Sequence, residues 1–158
     1  MTKRRVDSHL SVLFEVFAAS HEVGELVAAA LSDSPLTPEE YAIYSVLFDE
    51  GPHAPTELAR RTGLPPTSMS HVVRAMRERG HATRSPDPAD GRSYRIVLTE
   101  AGLAAHAATS VAFSEADERF RTAFGPHLAD ASTTLTAIGR AARMARERLS
   151  ADAVDETA

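Results

Sequence analysis

Arginine is the residue whose number and placement carry chemical information in this chain. Sixteen arginines stand against a single lysine. A guanidinium makes planar, two-pronged hydrogen bonds to phosphate and guanine that an ammonium does not. Eight arginines, at positions 60, 61, 74, 77, 79, 84, 92 and 95, lie between Pro52 and Leu98 against four acids (Glu57, Glu78, Asp87 and Asp90), a local balance of +4. The rest of the chain holds nine basic and eighteen acidic residues, or −9, so the formal net charge of −5 hides a basic middle third. GC-rich coding raises arginine and alanine everywhere, but it does not choose a location. Other chemistries lack their residue patterns. With no cysteine there is no disulfide framework, thiolate metal site or thiol switch. The chain has no G-x-S-x-G, H-E-x-x-H, phosphate-binding or dinucleotide-binding glycine motif. Seven histidines, at 9, 21, 53, 71, 81, 106 and 127, include no i,i+4 pair with a carboxylate. Ser110 with His106 does not complete a nucleophile, base and orienter. The expectation is therefore no enzyme, no cofactor and no metal.

The elements that must position these arginines are mostly helical. Asp7 or Ser8 can cap a first helix reaching about Ala30, with Leu10, Leu13, Phe14, Phe17, Val27 and Leu31 on one apolar edge. Val12, Val16, Val23 and Leu26 add a second edge, a width that implies burial on two sides. Thr37-Pro38-Glu39-Glu40 is a capping box with proline at the first helical position, and the helix it opens ends near Gly51-Pro52. A short helix from Pro55 to Arg61, closed by Gly63, precedes a second from Thr67 to Arg79, closed by Gly80. Met69, Val72, Val73 and Met76 form the core face of the latter. Its other face shows Thr67, Ser68, Ser70, His71, Arg74 and Arg77, so the pair reads as a helix-turn-helix. His81–Ser85 and Tyr94–Leu98 read as a hairpin around a loop of about eight residues, too long for a tight turn. Thr99 can cap a helix to about Ala123, broken at Gly125-Pro126. The last helix, from about His127 to Leu149, repeats Leu128, Ala131, Leu135, Ile138, Ala142, Ala145 and Leu149 in alternating steps of three and four, an apolar seam for a partner helix. The fold class is mostly α with a small β-hairpin wing, about six helices in all. No apolar run approaches the roughly 20 residues of a membrane helix, and the segment after the basic N-terminus is amphipathic, so a cytoplasmic protein is expected.

Three stretches in this order resemble the MarR family of bacterial transcriptional regulators: Pro55 to Leu64, Met76 to Arg84, and Asp90 to Gly102 with its D-x-R…L-T-x-x-G wing pattern. The resemblance covers about Ser8 to Leu149. It implies a homodimer in which residues 1–36 and 100–150 form a helical dimerisation region. It makes 37–99 a winged helix-turn-helix DNA-binding domain and leaves 151–158 as a flexible tail. Leu10, Phe14, Leu128, Leu135, Ile138 and Leu149 would lie in the dimer seam. Two recognition helices would sit about one DNA turn, roughly 34 Å, apart on a pseudo-palindromic operator. Thr67, Ser68, Ser70 and His71 would reach base edges, with Arg74 and Arg77 holding bases or phosphates. Arg92 would enter or flank the minor groove, Asp90 would brace the wing through an ion pair, and Arg84 at its base would serve either purpose. The chain departs from the family where Pro65-Pro66 replaces a polar N-cap and where His71 stands in place of a permanent cation.

Members of that family often sense small aromatic or phenolic effectors between the dimerisation helices and the winged domain. The corresponding candidates are Phe17, His21, Tyr41, Tyr44, His106 and Ser110, with Tyr41 and Tyr44 expected to face the same region. Absent cysteine removes thiol-based sensing. The expected function is a homodimeric repressor on double-stranded DNA, released by a ligand and having no membrane partner. The alternative is a winged-helix module that binds protein and not DNA.

Overall fold

The computed structural model describes residues 11–88 and 93–155. Its elements run α1 (Val12–Ala30), α2 (Pro38–Glu50), α3 (Pro55–Thr62), α4 (Pro66–Glu78), β1 (Ala82–Pro86), β2 (Tyr94–Leu98), α5 (Glu100–Phe124), a 3-10 turn (Gly125–His127) and α6 (Leu128–Asp155). Six α-helices and one hairpin match the expected class. They divide into two compact units, Met1–Ala116 and Asp117–Ala158.

In the first unit the local signals act as their chemistry dictates. The capping box on α2 is complete: Glu40 N–H donates to Thr37 Oγ1 at 3.3 Å, and Thr37 N–H to Glu40 Oε2 at 3.1 Å. Helix α4 starts at Pro66 with no side-chain cap, as the double proline requires. It ends in a reversal in which His81 N–H donates to Met76 O (2.8 Å) and Gly80 N–H to Arg77 O (3.0 Å), with Gly80 at φ 71°. His81 was expected to open the first strand; it stays outside, because its amide closes this cap and its carbonyl accepts from Thr99 N–H at 3.0 Å.

Thr99 then fastens α5. Its hydroxyl donates to Gly80 O at 2.7 Å and accepts from Gly102 N–H at 3.2 Å. Gly102 is required because an added Cβ would stand 2.1 Å from His81 O. The threonine and glycine of the L-T-x-x-G pattern thus serve one joint, where the start of α5 abuts the end of α4.

The two strands pair antiparallel from Ala82 with Leu98 to Pro86 with Tyr94. Ile96 N–H also takes His53 O at 2.8 Å, tying the hairpin to the segment before α3. At the wing's root Arg95 Nε donates to Asp87 Oδ2 at 3.0 Å, and the same guanidinium reaches Pro52 O at 3.3 Å. Asp90 and Arg92 lie outside the described residues.

Beneath these elements Leu36, Ile43, Tyr44, Leu47, Leu58, Met69, Val73, Met76 and Ile96 form a closed core, joined by Ala105 of α5. That core draws on residues on both sides of the 37–99 segment. Helix α1, capped by Ser11, buries none of its residues, and Phe17 is 71% exposed. The caps anticipated at Asp7 and Ser8, like Leu10, lie outside the described residues. In the second unit α6 runs six residues past the expected end at Leu149, so the stretch taken as tail is helical through Asp155. Along its apolar seam Leu135 is 63% exposed and Leu149 is exposed too, while Leu128, Ala131 and Ile138 are half-buried.

Candidate nucleic-acid interface and aromatic pocket

Helix α4 presents its polar face as the sequence ordained. Thr67, Ser70, His71, Arg74 and Arg77 are exposed and Ser68 is half-buried, while Met69, Val73 and Met76 point into the core. A groove of about 380 Å³ runs between this face and the root of the wing, lined by Pro55, Ser70, His71, Val73, Arg74, Arg77, Arg84 and Tyr94. Arg84 lies over the Tyr94 ring at 4.1 Å and donates to its hydroxyl at 3.4 Å. That stacking holds a guanidinium among the residues lining the groove. Arg74 donates to His71 Nδ1 at 3.2 Å and lies 3.8 Å from Glu78. A guanidinium has no acceptor, so this bond needs a bare Nδ1 on His71 and puts the neutral ring's proton on Nε2. Ser70 donates to Pro66 O at 2.9 Å, which leaves its oxygen as an acceptor. The groove therefore offers three arginines, an imidazole and a hydroxyl, a donor-rich surface of a kind that suits phosphate and base edges.

A second cavity, about 430 Å³, opens beside α2 and is lined by Val27, Pro38, Tyr41, Ala42, Ser45, Asp49 and Phe113. Two of its lining residues, Tyr41 and Phe113, belong to a cluster of rings. Tyr41 lies on His106 with centroids 5.2 Å apart and leans on Phe113 at 4.9 Å, and Phe48 covers His106 at 4.6 Å. The polar atoms in this stack satisfy one another. Tyr41 Oη donates to Ser110 Oγ at 3.2 Å, Ser110 Oγ donates to His106 O at 2.9 Å, and Ser45 Oγ lies 3.1 Å from His106 Nε2. Burial holds the His106 pKa below the usual histidine value, against a smaller upward pull from Asp49.

The family match falls within the first unit, and the likeness to solved structures extends beyond it. A model described as MarR family matches residues 34–93, the stretch that contains the helix-turn-helix and most of the wing. Over 97 residues the chain is 30% identical to the HTH-type transcriptional regulator TtmR of Methylorubrum extorquens, covering 61% of this chain and 49% of that protein. That winged helix-turn-helix segment is of MarR-family type. The chain spans about half the length of the curated relatives it matches. Among solved structures, the Mycobacterium tuberculosis transcriptional regulator MosR in complex with DNA aligns at a TM-score of 0.72 and 23% identity, over 87% of this chain and 99% of that one. A Mycobacterium tuberculosis MarR family protein in complex with salicylic acid aligns at 0.66 and 24% identity, over 84% and 99%. At such identities these two structures show a shared fold.

Five of the expected DNA-contacting residues, Ser70, His71, Arg74, Arg77 and Arg84, line one groove; Thr67 and Ser68 lie at the start of the same helix. The expected ligand residues separate. Tyr41, His106 and Ser110 come together, but Tyr44 faces the other way. It is fully buried, its hydroxyl lies 3.0 Å from His81 Nδ1 and accepts from Arg79 at 3.5 Å, and burial pushes its pKa up to about 12. Arg79 in turn holds Glu40 at 2.5 Å, the carboxylate that caps α2, and that bond raises its own pKa. Phe17 and His21 are exposed on α1, which contributes Val27 to the cavity instead. Sequence reasoning missed Tyr94, Phe48, Asp49 and Phe113. Tyr94 was legible as the diagonal cross-strand neighbour of Arg84. Among the described residues no group of His, Cys, Asp or Glu is placed to hold a metal ion.

Proposed function

We propose that this chain is a homodimeric, non-enzymatic transcriptional regulator of the MarR family that represses by binding a pseudo-palindromic operator and lets go when a small aromatic ligand binds. The observation that carries the reading is the single groove shared by α4 and the wing root, in which Ser70, His71, Arg74 and Arg77 meet Arg84. Such a surface enters a major groove with α4 while the wing follows the backbone into the next minor groove, where Arg92 would contact DNA and Asp90 would brace the loop. The DNA complex of MosR, which shares the fold, supports the same use. Dimerisation is supported by the open apolar faces of α1 and α6, which a second copy would cover through Phe14, Leu128, Leu135, Ile138 and Leu149 together with Leu10. No described helix is long and apolar enough to cross a membrane, in keeping with a protein that works on cytoplasmic DNA.

Release follows from the two faces of α2. Tyr41 and Ser45 border the aromatic cavity, while Tyr44 and Glu40 hold Arg79 at the end of α4. A ligand wedged against Tyr41 pushes on the same rigid helix that fixes the recognition helix. The salicylic acid complex of a family member supports a ligand-responsive role.

The test is a titration of the full chain with DNA from its own promoter region at several salt concentrations. Binding should weaken with a log–log salt slope of several units, and Arg77→Ala should reduce that slope by about one. No binding at low salt overturns the reading and leaves a winged-helix module for protein contacts.

A further inference from the structure

We infer that the aromatic cavity beside α2 selects an organic cation, an ammonium on an aromatic or alkyl body, over a carboxylate of the same size. This rests on the ligand-responsive reading above and adds the charge of the ligand to it. Among the described residues lining the cavity Asp49 is the one that carries a charge, and it is exposed. Among the described residues no basic side chain forms an ion pair with it. The other polar groups nearby are already engaged. Tyr41 donates to Ser110, Ser110 to the His106 carbonyl, and Ser45 is bonded to the His106 ring. His106 is held neutral under Tyr41 and Phe48, so it offers no positive charge to an anion.

What remains for recognition is the Asp49 carboxylate and the aromatic rings of Tyr41 and Phe113 in the lining. Both attract a cation, one by ion pairing and the other through the ring quadrupole. Both disfavour a carboxylate, which would be desolvated against aromatic faces with a like charge beside it. The cavity volume, about 430 Å³, suits a drug-sized ligand.

Three probes of nearly equal shape test this on the full-length protein by calorimetry at neutral pH: 2-phenylethylammonium, 2-phenylethanol and 3-phenylpropanoate. The ammonium should bind at least about tenfold more tightly than the propanoate, with the alcohol between them. Asp49→Asn, checked by thermal melting for an unchanged fold, should bring the ammonium down to the affinity of the alcohol. Tyr41→Leu should weaken the ammonium further. Equal or tighter binding of the propanoate, an Asp49→Asn variant that keeps the preference, or no heat from any probe at millimolar concentration overturns the inference. Promoter DNA titrated against the same ligand-free sample separates the two readings. Loss of DNA binding with the cation preference intact sinks the regulator and spares the pocket, and the reverse result sinks only the pocket.

Discussion

Met76 and Phe17 are apolar side chains of comparable bulk with opposite surroundings. Met76 is fully buried among the elements of the winged region, and Phe17 on α1 stands 71% exposed. The winged region closes on itself because three short helices and a hairpin present apolar residues from different directions to a common centre. Helices α1 and α6 are single cylinders that leave large apolar side chains such as Phe17 and Leu135 exposed. Large contiguous apolar surface is costly to leave in water, so the contrast separates a region closed by its own contacts from one whose apolar surface the proposed dimer would cover.

The most forceful way to break this contrast is Leu135→Asp. A charge in the α6 seam should abolish the dimer in analytical ultracentrifugation, and an unchanged dimer would show that the seam is not the interface. Next in size is Met76→Ala, which should cost about 2–5 kcal/mol in urea unfolding, independent of protein concentration. Phe17→Ala should instead lower the midpoint by an amount that grows with protein concentration and vanishes where the chain is monomeric, because its loss acts through association. If both variants show the same concentration dependence, the two regions are not energetically distinct. Gly102→Ala sharpens the account of the winged region. With a Cβ 2.1 Å from His81 O, the joint between α4 and α5 must shift, at about 1–3 kcal/mol, and a neutral effect in the same assay would refute its tightness.

The smallest effect concerns His106. Burial lowers its folded pKa, so below the unfolded value of about 6.5 the unfolded chain takes a proton that the folded chain refuses. Stability present above that pH is lost as the pH falls toward the folded pKa. The unfolding midpoint should therefore drop more steeply on acidification in the parent chain than in His106→Gln, and parallel curves would remove the buried neutral histidine from the account.

Much of the winged region was legible because its signals are local. The Thr37–Glu40 box, Gly80 beyond α4 and Thr99 ahead of α5 each satisfy backbone groups within a few residues, so spacing alone identifies them. The polar face of α4 was legible for a related reason, since the core face at Met69, Val73 and Met76 leaves only one side for it. The ligand site was half legible. Tyr41 and Tyr44 are three residues apart, which on a helix separates them by about 60° around the axis. The border between the aromatic cavity and the winged core falls inside that gap, and no local rule places it. The wing's ion pair of Arg95 with Asp87 was hidden similarly, because it depends on how the loop leaves β1.

By itself the sequence determined the order and type of the elements, the caps that bound them, and the concentration of arginine on one third of the chain. These follow from short-range hydrogen bonding, helical and strand periodicity, and composition, all of which act between near neighbours. Only the tertiary structure decided that Arg84 joins the α4 side chains in one groove and that Gly102 lets α5 approach His81. It also decided that Tyr41, His106 and Phe113 stack beside Asp49 while Tyr44 turns inward. Those outcomes depend on contacts between residues tens of positions apart, where shape and burial select among partners that the local chain leaves equally open.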